Sequence, residues 1–243
     1  MTHKTKGIVL RTVKYGETSL VVTMFTELFG VQTYMVNGVR SSKKSASKAN
    51  LLQPAAMLDL LVYHSDQKSM HRIREFSWAV LYQHVLSDVI KNCIALYLSE
   101  LLHKCLKQPE QNTALFYFCE DVLLHLDRAD KAVTANIPLY FALHLPHFLG
   151  LKINDDYNQA QPVLDLQEGN FVAEQPLHPN FITGDNARLT SQLLKVMQPH
   201  ELAQFHLHHD VRRKLLQHYH DYYALHIPEF GELKTMAVLQ DVL

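Results

Sequence analysis

Hydrophobic residues in the first 80 positions recur mostly with a period of two, in short runs separated by turn residues. Such runs are typical of half-buried strands. The run over residues 31–36, VQTYMV, places positions 31, 33 and 35 on one face and 32, 34 and 36 on the other. Strands are predicted over residues 6–15, 18–28, 31–40, 54–64 and 69–78. Five strands with one long loop predict a closed β-barrel of the oligonucleotide/oligosaccharide-binding (OB) type, although an SH3-like barrel would also take five strands.

After residue 78 the apolar positions follow a helical period instead. Helical segments are predicted over residues 79–106, 113–127, 134–149, 186–197, 199–208, 210–225 and 231–242. Thr113 is the predicted N-cap of the second helix, and Pro138 and Pro146 are predicted to kink or break the third. Residues 151–185 form an irregular excursion with a β-like stretch at 164–172. The chain is thus predicted to hold a β-barrel domain, residues 1–78, and a mostly α-helical domain, residues 79–243.

The net charge of −1 conceals an uneven distribution. Residues 1–80 contain 11 Lys/Arg and 5 Asp/Glu, a net charge of +6, whereas the remaining residues carry 12 and 19, a net charge of −7. A basic first part joined to an acidic second part indicates a polyanionic partner for the first part. The alternative is an unevenly charged solvated surface without a polyanion.

The strongest candidate for phosphate contact is the loop after the third strand. The turn pair Asn37-Gly38 opens it, and residues 37–50 contain no acidic side chain. Its cations are Arg40, Lys43, Lys44 and Lys48. In an OB barrel a strand face and its flanking loops form the nucleic-acid groove, where Lys and Arg neutralise phosphates.

Further candidates lie on the strands. Arg11 and Lys14 belong to the first strand, and Arg72 and Arg74 to the fifth. The arginines could instead form surface ion pairs with Glu75 or Asp59, which contribute little. Tyr15 and Tyr34 are predicted to stack on bases, the alternative being that they are half-buried barrel residues.

Other function classes find little support in the sequence. No run of roughly 18 apolar residues indicates a membrane span, and charges within the N-terminal stretch argue against a signal peptide. Cys93, Cys105 and Cys119 form no C-x-x-C pair and are expected to be reduced, on helices, in the cytoplasm. No phosphate-binding Gly-rich loop, HExxH motif or catalytic triad is present, so we predict neither enzymatic activity nor a cofactor. The group His206, His208, His209 and Asp210 could ligate a metal, but scattered surface histidine is the preferred interpretation.

The order of motifs in the first 75 or so residues resembles the RecO family of bacterial recombination mediators. The residues that carry the resemblance are Tyr15-Gly16-Glu17-Thr18, Phe25-Thr26, Gly30, Gly38-Val39-Arg40 with Ser42-Lys43, and Leu52-Gln53-Pro54. Beyond this part the likeness is one of length, order and composition.

The resemblance implies an OB barrel followed by a helical domain, with no catalytic residue. It also implies binding of single- and double-stranded DNA, strand annealing, and cooperation with RecR in loading RecA onto DNA coated by single-strand DNA-binding protein. The location implied is cytoplasmic and nucleoid-associated. Many members carry a four-cysteine zinc site in the excursion, but residues 151–185 contain no cysteine here. We therefore predict that packing, without zinc, holds this excursion.

The resemblance further implies capture of the acidic, Phe-ended tail of single-strand DNA-binding protein. Such a tail requires an apolar notch rimmed by cations. The predicted rim residues are Lys91, Lys104, Arg128 and Lys131, with solvated helix faces as the alternative. A competing function is that of an adaptor whose barrel binds a protein or peptide rather than DNA.

Overall fold

The computed structural model describes residues 2–39, 48–65 and 67–242. Its contacts divide the chain into two compact units, residues 1–124 and 125–243. The first unit holds a β-barrel and two helices, and the second holds the remaining helices and a small sheet. The first unit extends beyond the predicted barrel domain because a helix packs on strand β1.

The barrel is closed and has the order β1-β2-β3-β5-β4. Its strands are β1 (Thr2–Tyr15), β2 (Ser19–Thr26), β3 (Gly30–Val36), β4 (Met57–Tyr63) and β5 (His71–Trp78). Neighbouring strands are antiparallel except β3 and β5, which pair in parallel through Tyr34 with His71 and Met35 with Arg72. The prediction of an N-terminal five-stranded barrel followed by a mostly helical region is confirmed.

The inner face of β3 is the one that looks more polar in sequence. Gln32, Tyr34 and Val36 are buried, whereas Val31 and Met35 are half-buried on the outer face. The Gln32 amide can lie inside because its nitrogen donates to the Phe29 carbonyl at 2.7 Å. The outer face of β3 is therefore available for contacts with other molecules.

Strand β1 changes phase at an irregularity between Val9 and Arg11. Two helices complete this unit: α1 (Val89–Cys105) and most of α2 (Thr113–Arg128). On the outer side of the barrel, Phe25 lies 5.7 Å from Phe116 of α2, measured between ring centroids. The Lys6 ammonium donates to Glu120 at 2.8 Å. Helix packing thus covers part of the outer barrel surface.

Helix α1 begins ten residues later than predicted. Residues 79–88 are not helical. This segment is held by tertiary contacts instead: Tyr82 donates to the Ala55 carbonyl at 2.9 Å, and Val85 is buried. The Asp88 carboxylate accepts from the Lys91 amide and caps α1. At the next helix Asn112 performs this role by accepting from the Leu115 amide, so the prediction of Thr113 as N-cap was wrong.

The predicted cysteine environment is reproduced in part. All three cysteines are free and lie on α1 or α2. Cys105 and Cys119 are buried, and burial raises the pKa of both thiols well above the ordinary value. Neither is therefore a reactive thiolate at neutral pH.

The second unit is mainly helical. Its helices are α3 (Lys131–His144), α4 (Gly184–Leu194), α5 (His209–His226) and α6 (Thr235–Val242), with 3₁₀ helices at Leu145–Leu149 and Pro199–Gln204. Helix α3 continues through Pro138, so it is not broken there, but it gives way to the 3₁₀ helix at the Pro146 end. The stretch predicted as a helix over 199–208 is a short 3₁₀ helix instead.

The excursion contains a three-stranded sheet, β6 (Val163–Asp165), β7 (Asn170–Val172) and β8 (Phe181–Ile182), in the order β7-β6-β8. The buried Asp165 carboxylate accepts from the Gln167 amide at 2.7 Å and lies 3.3 Å from His178. Tyr222 of α5 donates to the Leu151 carbonyl at 2.7 Å. Packing and polar contacts of this kind hold the excursion in the described part of the chain.

Candidate nucleic-acid interface

A groove follows the seam between β3 and β5 of the barrel. We call it the β3–β5 groove, and two adjoining depressions form it, the larger of about 780 Å³. Met35 and Arg72 line both depressions. The larger depression is also lined by Tyr63, His64, Ser65, Lys68, Met70 and His71, and the other by residues 36–39, Lys48, Ile73, Arg74 and Phe76.

Among the described residues, four exposed cations line this groove: Lys48, Lys68, Arg72 and Arg74. Strand pairing explains the position of Arg72, because its partner Met35 lies on the outer face of β3. Arg74 has an acidic neighbour in Glu75, with 3.4 Å between Nε and Oε1. Both side chains are more than half exposed, so this ion pair is weak and leaves the guanidinium able to bind a phosphate.

The larger depression of the groove is mainly apolar. Met35 lies between the two depressions, and Tyr63 and Met70 project into the larger one. Tyr63 is 49% exposed and Met70 is 40% exposed, although both are large hydrophobic residues. Cations beside exposed apolar and aromatic side chains form the combination that single-strand binding grooves use.

The structure brings three of the predicted contact residues, Lys48, Arg72 and Arg74, into one groove. Tyr34 does not join them. Its ring is fully buried in the barrel core, and burial raises the pKa of its hydroxyl well above the ordinary value. The prediction that Tyr34 stacks on a base is wrong, because no base can reach a ring inside the barrel.

Arg11, Lys14 and Tyr15 are exposed on β1 but do not line the groove. Arg11 lies towards helix α1, since the pKa of His103 is lowered first by burial and then by the Arg11 charge. Tyr15 is 57% exposed at the end of β1. Base stacking by Tyr15 therefore stays a prediction.

The remaining predicted cations, Arg40, Lys43 and Lys44, lie outside the described residues. The sequence reasoning missed other groove residues, namely Lys68, Tyr63, Met35 and Met70. Lys68 lies in the connection between β4 and β5. Nothing in the sequence around it distinguishes this lysine from other surface lysines. Tyr63 could have been found from the sequence. Leu60 and Val62 occupy the inward positions of β4, so the next residue, Tyr63, is an aromatic side chain at an outward position.

The four residues predicted to border a tail pocket differ in exposure and lie on three different helices. Lys91 is buried on α1, so it cannot rim an open pocket, and this part of the prediction was wrong. Lys104 is half-buried near the end of α1. Arg128 and Lys131 are exposed and lie at the end of α2 and the start of α3.

Helix α3 also borders a small apolar notch within the second unit. Ala135, Pro138 and Leu139 of α3 line it together with Leu216 of α5 and the buried Leu239 of α6. Arg212 and Arg213 stand at its rim. Lys131 lies on the same face of α3, one turn before Ala135.

Among the histidines, the structure brings His208, His209 and Asp210 together at the start of α5, with one ligand atom of each within 4.8 Å of the others. All three are exposed, and His206 is not part of the group. Their exposure agrees with the interpretation that they are surface histidines.

Among the described residues, none of the helices is both long and apolar enough to cross a membrane.

Comparison with known proteins assigns the chain to a family. Residues 1–82 match the family model described as Recombination protein O N terminal, and residues 86–236 match Recombination protein O C terminal. Proteins named DNA repair protein RecO are similar over the full chain and 99% of their own length. They include those of Bacteroides fragilis (34% identity), Flavobacterium psychrophilum (32%) and Phocaeicola vulgatus (31%). The barrel, the helical region and these matches together show that the chain belongs to the RecO family of DNA repair proteins.

Proposed function

We propose that this protein binds DNA along the β3–β5 groove and acts without catalysis. Lys48, Lys68, Arg72 and Arg74 contact successive phosphates there, with the loop cations Arg40, Lys43 and Lys44 extending the contact. The bound strands are annealed, and with RecR the protein helps to load RecA onto DNA coated by single-strand DNA-binding protein. It binds both single strands and duplexes through these phosphates.

The observation that carries this proposal is the convergence of four exposed cations on one groove. Lys68 reaches it from the β4–β5 connection, Arg72 and Arg74 from β5, and Lys48 from the segment after β3. Neutralising phosphates releases counterions, which supplies affinity independent of sequence. A non-enzymatic role agrees with this arrangement, because binding and annealing need positioned charges rather than a nucleophile or general base.

The test is the binding of a fluorescent oligonucleotide across a salt series. Contacts with about seven phosphates, one for each of these groove and loop cations, should give a log–log slope near −4.9 for a single strand, taking about −0.7 for each contact. A variant with Arg40, Lys43, Lys44 and Lys48 changed to Ala should have a slope shallower by up to about 2.8. Wild-type protein that binds no DNA even at low salt would instead support an adaptor whose barrel binds a protein or peptide.

For the acidic, Phe-ended tail of single-strand DNA-binding protein, we propose the notch on α3 and α5. The apolar lining suits an aromatic end in kind. The cavity holds only about 10 Å³, so a phenyl ring enters only if the buried Leu239 is displaced. The carboxylates then meet the cations at the rim. The support is an apolar depression with the exposed Arg213 beside it. Arg212 also borders the depression, but it is half-buried and its guanidinium donates to the Leu207 carbonyl. The proposed tail-binding cations are therefore Lys131 and Arg213, in place of the larger predicted set.

Fluorescence polarisation with a labelled tail peptide tests the notch. Changing Lys131 and Arg213 together to Ala should weaken binding by about fivefold, since exposed charge pairs contribute roughly 0.2–1 kcal/mol each. Arg188→Ala is the matched control, because Arg188 is an exposed cation on α4 that pairs with Asp185. Unchanged affinity in the double variant would remove the notch from consideration.

A further inference from the structure

The exposed group His208, His209 and Asp210 is held in place by the backbone at the start of α5. His208 is the N-cap residue, and its carbonyl accepts from the Val211 and Arg212 amides at 3.0 and 3.1 Å. His209 and Asp210 are the first two residues of the helix. The backbone of the group is therefore fixed, and only the side chains have to turn for it to bind an ion. A site built on a helix is more precise than one on a loop.

The Asp210 carboxylate lies between the two imidazole rings. One of its oxygens is 3.3 Å from Nδ1 of His208, and the other is 3.2 Å from Nε2 of His209. The rings stand side by side, with 4.1 Å between their centroids. The group thus offers two nitrogens and a carboxylate oxygen, all within 4.8 Å of one another.

These spacings are close to those of ligands around a small metal ion. With metal–ligand bonds of about 2.0–2.2 Å, two ligand atoms of a tetrahedral site are roughly 3.3–3.6 Å apart. The two nitrogen–oxygen distances nearly match this edge, and rotation of the exposed side chains can close the edge between the nitrogens. As hydrogen bonds or ion pairs the same contacts are long and exposed to water, so they contribute little by themselves.

We propose that His208, His209 and Asp210 bind one divalent transition-metal ion of the zinc type. Imidazole nitrogen is a good ligand for Zn²⁺, Cu²⁺ and Ni²⁺, whereas Mg²⁺ and Ca²⁺ prefer oxygen ligands throughout. Three protein ligands leave at least one position for water or for a group from another molecule. These histidines lie on the surface, as the sequence predicts, but they are not scattered, and their convergence on one carboxylate is what supports a site.

The position of the site sets its strength. The N-terminal end of a helix carries a partial positive charge, which opposes a cation, and the ion stays in contact with water. The site is therefore weaker than a buried zinc site with four ligands, and it holds an exchangeable ion on which folding does not depend. Because the ion joins the N-cap residue to the first turn, it should stabilise the start of α5.

Calorimetric titration with ZnCl₂ tests the site, using full-length protein without an affinity tag after treatment with a chelator. Changing His208 and His209 together to Ala should weaken Zn²⁺ binding at this site by at least about 100-fold, and Asp210→Asn by at least about tenfold. Loss of an outer-shell partner alone typically costs about 10–100-fold. His206→Ala is the matched control, because His206 is exposed and close in sequence but does not belong to the group. It should leave Zn²⁺ binding unchanged.

Nuclear magnetic resonance of the histidine rings provides a second measurement. At one equivalent of Zn²⁺ the ring signals of His208 and His209 should shift, while that of His206 should not. Similar shifts of all three rings would show non-specific binding and overturn the site. Wild-type protein that binds no Zn²⁺, or that binds Mg²⁺ equally well, would also overturn it, as would an equal loss of affinity in His206→Ala and in the double variant.

Discussion

A variant with Lys48, Lys68, Arg72 and Arg74 all changed to Ala is expected to bind a single-stranded oligonucleotide about 10²–10³-fold more weakly at 0.1 M salt. Four phosphate contacts at about −0.7 each contribute roughly 2.8 to the log–log slope. Over the tenfold change from 1 M to 0.1 M salt, the affinities of wild type and variant therefore diverge by about 10²–10³-fold. All four side chains are exposed, so the fold should be retained, since surface substitutions usually change stability by about 0.5 kcal/mol or less. Fluorescence anisotropy across a salt series measures the slope directly.

The matched control removes four positive charges elsewhere. Lys107, Lys131, Lys152 and Arg188 are exposed and do not line the groove. Their replacement changes net charge equally, so it lowers the long-range attraction of DNA by a similar amount but leaves the direct contacts in place. If both variants show the same reduced slope, only net charge matters and the groove is not the binding site.

Gly30→Ala is expected to lower the free energy of unfolding by about 2–5 kcal/mol, from two additive causes. Gly30 has a φ of +64°, a left-handed conformation that is unfavourable for alanine. In addition, a Cβ atom there would stand 2.1 Å from the Glu110 carbonyl oxygen. That oxygen belongs to the backbone between α1 and α2, so it cannot rotate away as a side chain would. Urea unfolding followed by circular dichroism measures the loss.

Gly16→Ala separates the two causes. Gly16 has a similar φ of +57°, but a Cβ there would meet no atom within 4 Å. This control should lose only the conformational part, about 1–2 kcal/mol. A Gly30→Ala loss no greater than that of Gly16→Ala would show that the loop at Glu110 adapts, and that its packing against the barrel is not tight.

The strands were predictable from local pattern because turn residues mark their ends. Gly16, Gly30 and Gly38 all have positive φ; Gly16 and Gly38 come shortly after strands, and Gly30 is the first residue of β3. The groove was less predictable, since it depends on the parallel pairing of β3 with β5. That pairing joins segments more than 30 positions apart and leaves no periodic signal in either.

Two wrong predictions, base stacking by Tyr34 and a helix that starts at residue 79, share a physical cause. Tyr34 and Gln32 count as polar in a hydropathy pattern, yet the barrel interior accepts a large ring and an amide whose nitrogen has a carbonyl acceptor. Tyr82 and Val85 fit a helical spacing. In the structure, however, both are buried, Tyr82 donates to the Ala55 carbonyl, and α1 begins only after them. In each case tertiary contacts outweighed the local pattern.

Strand β1 has a consequence for the chain during its synthesis. Its second half pairs with β2, the next strand to emerge, but Thr2–Ile8 pairs with β4, about 50 residues later. At about 5–20 residues per second, that first half remains an unpaired edge for roughly 3–10 s on the ribosome. Such edges recruit other chains unless charges, especially lysine, keep them apart. Lys4 and Lys6 lie in this half, so the same positive charges that make the barrel basic also guard the nascent chain against aggregation.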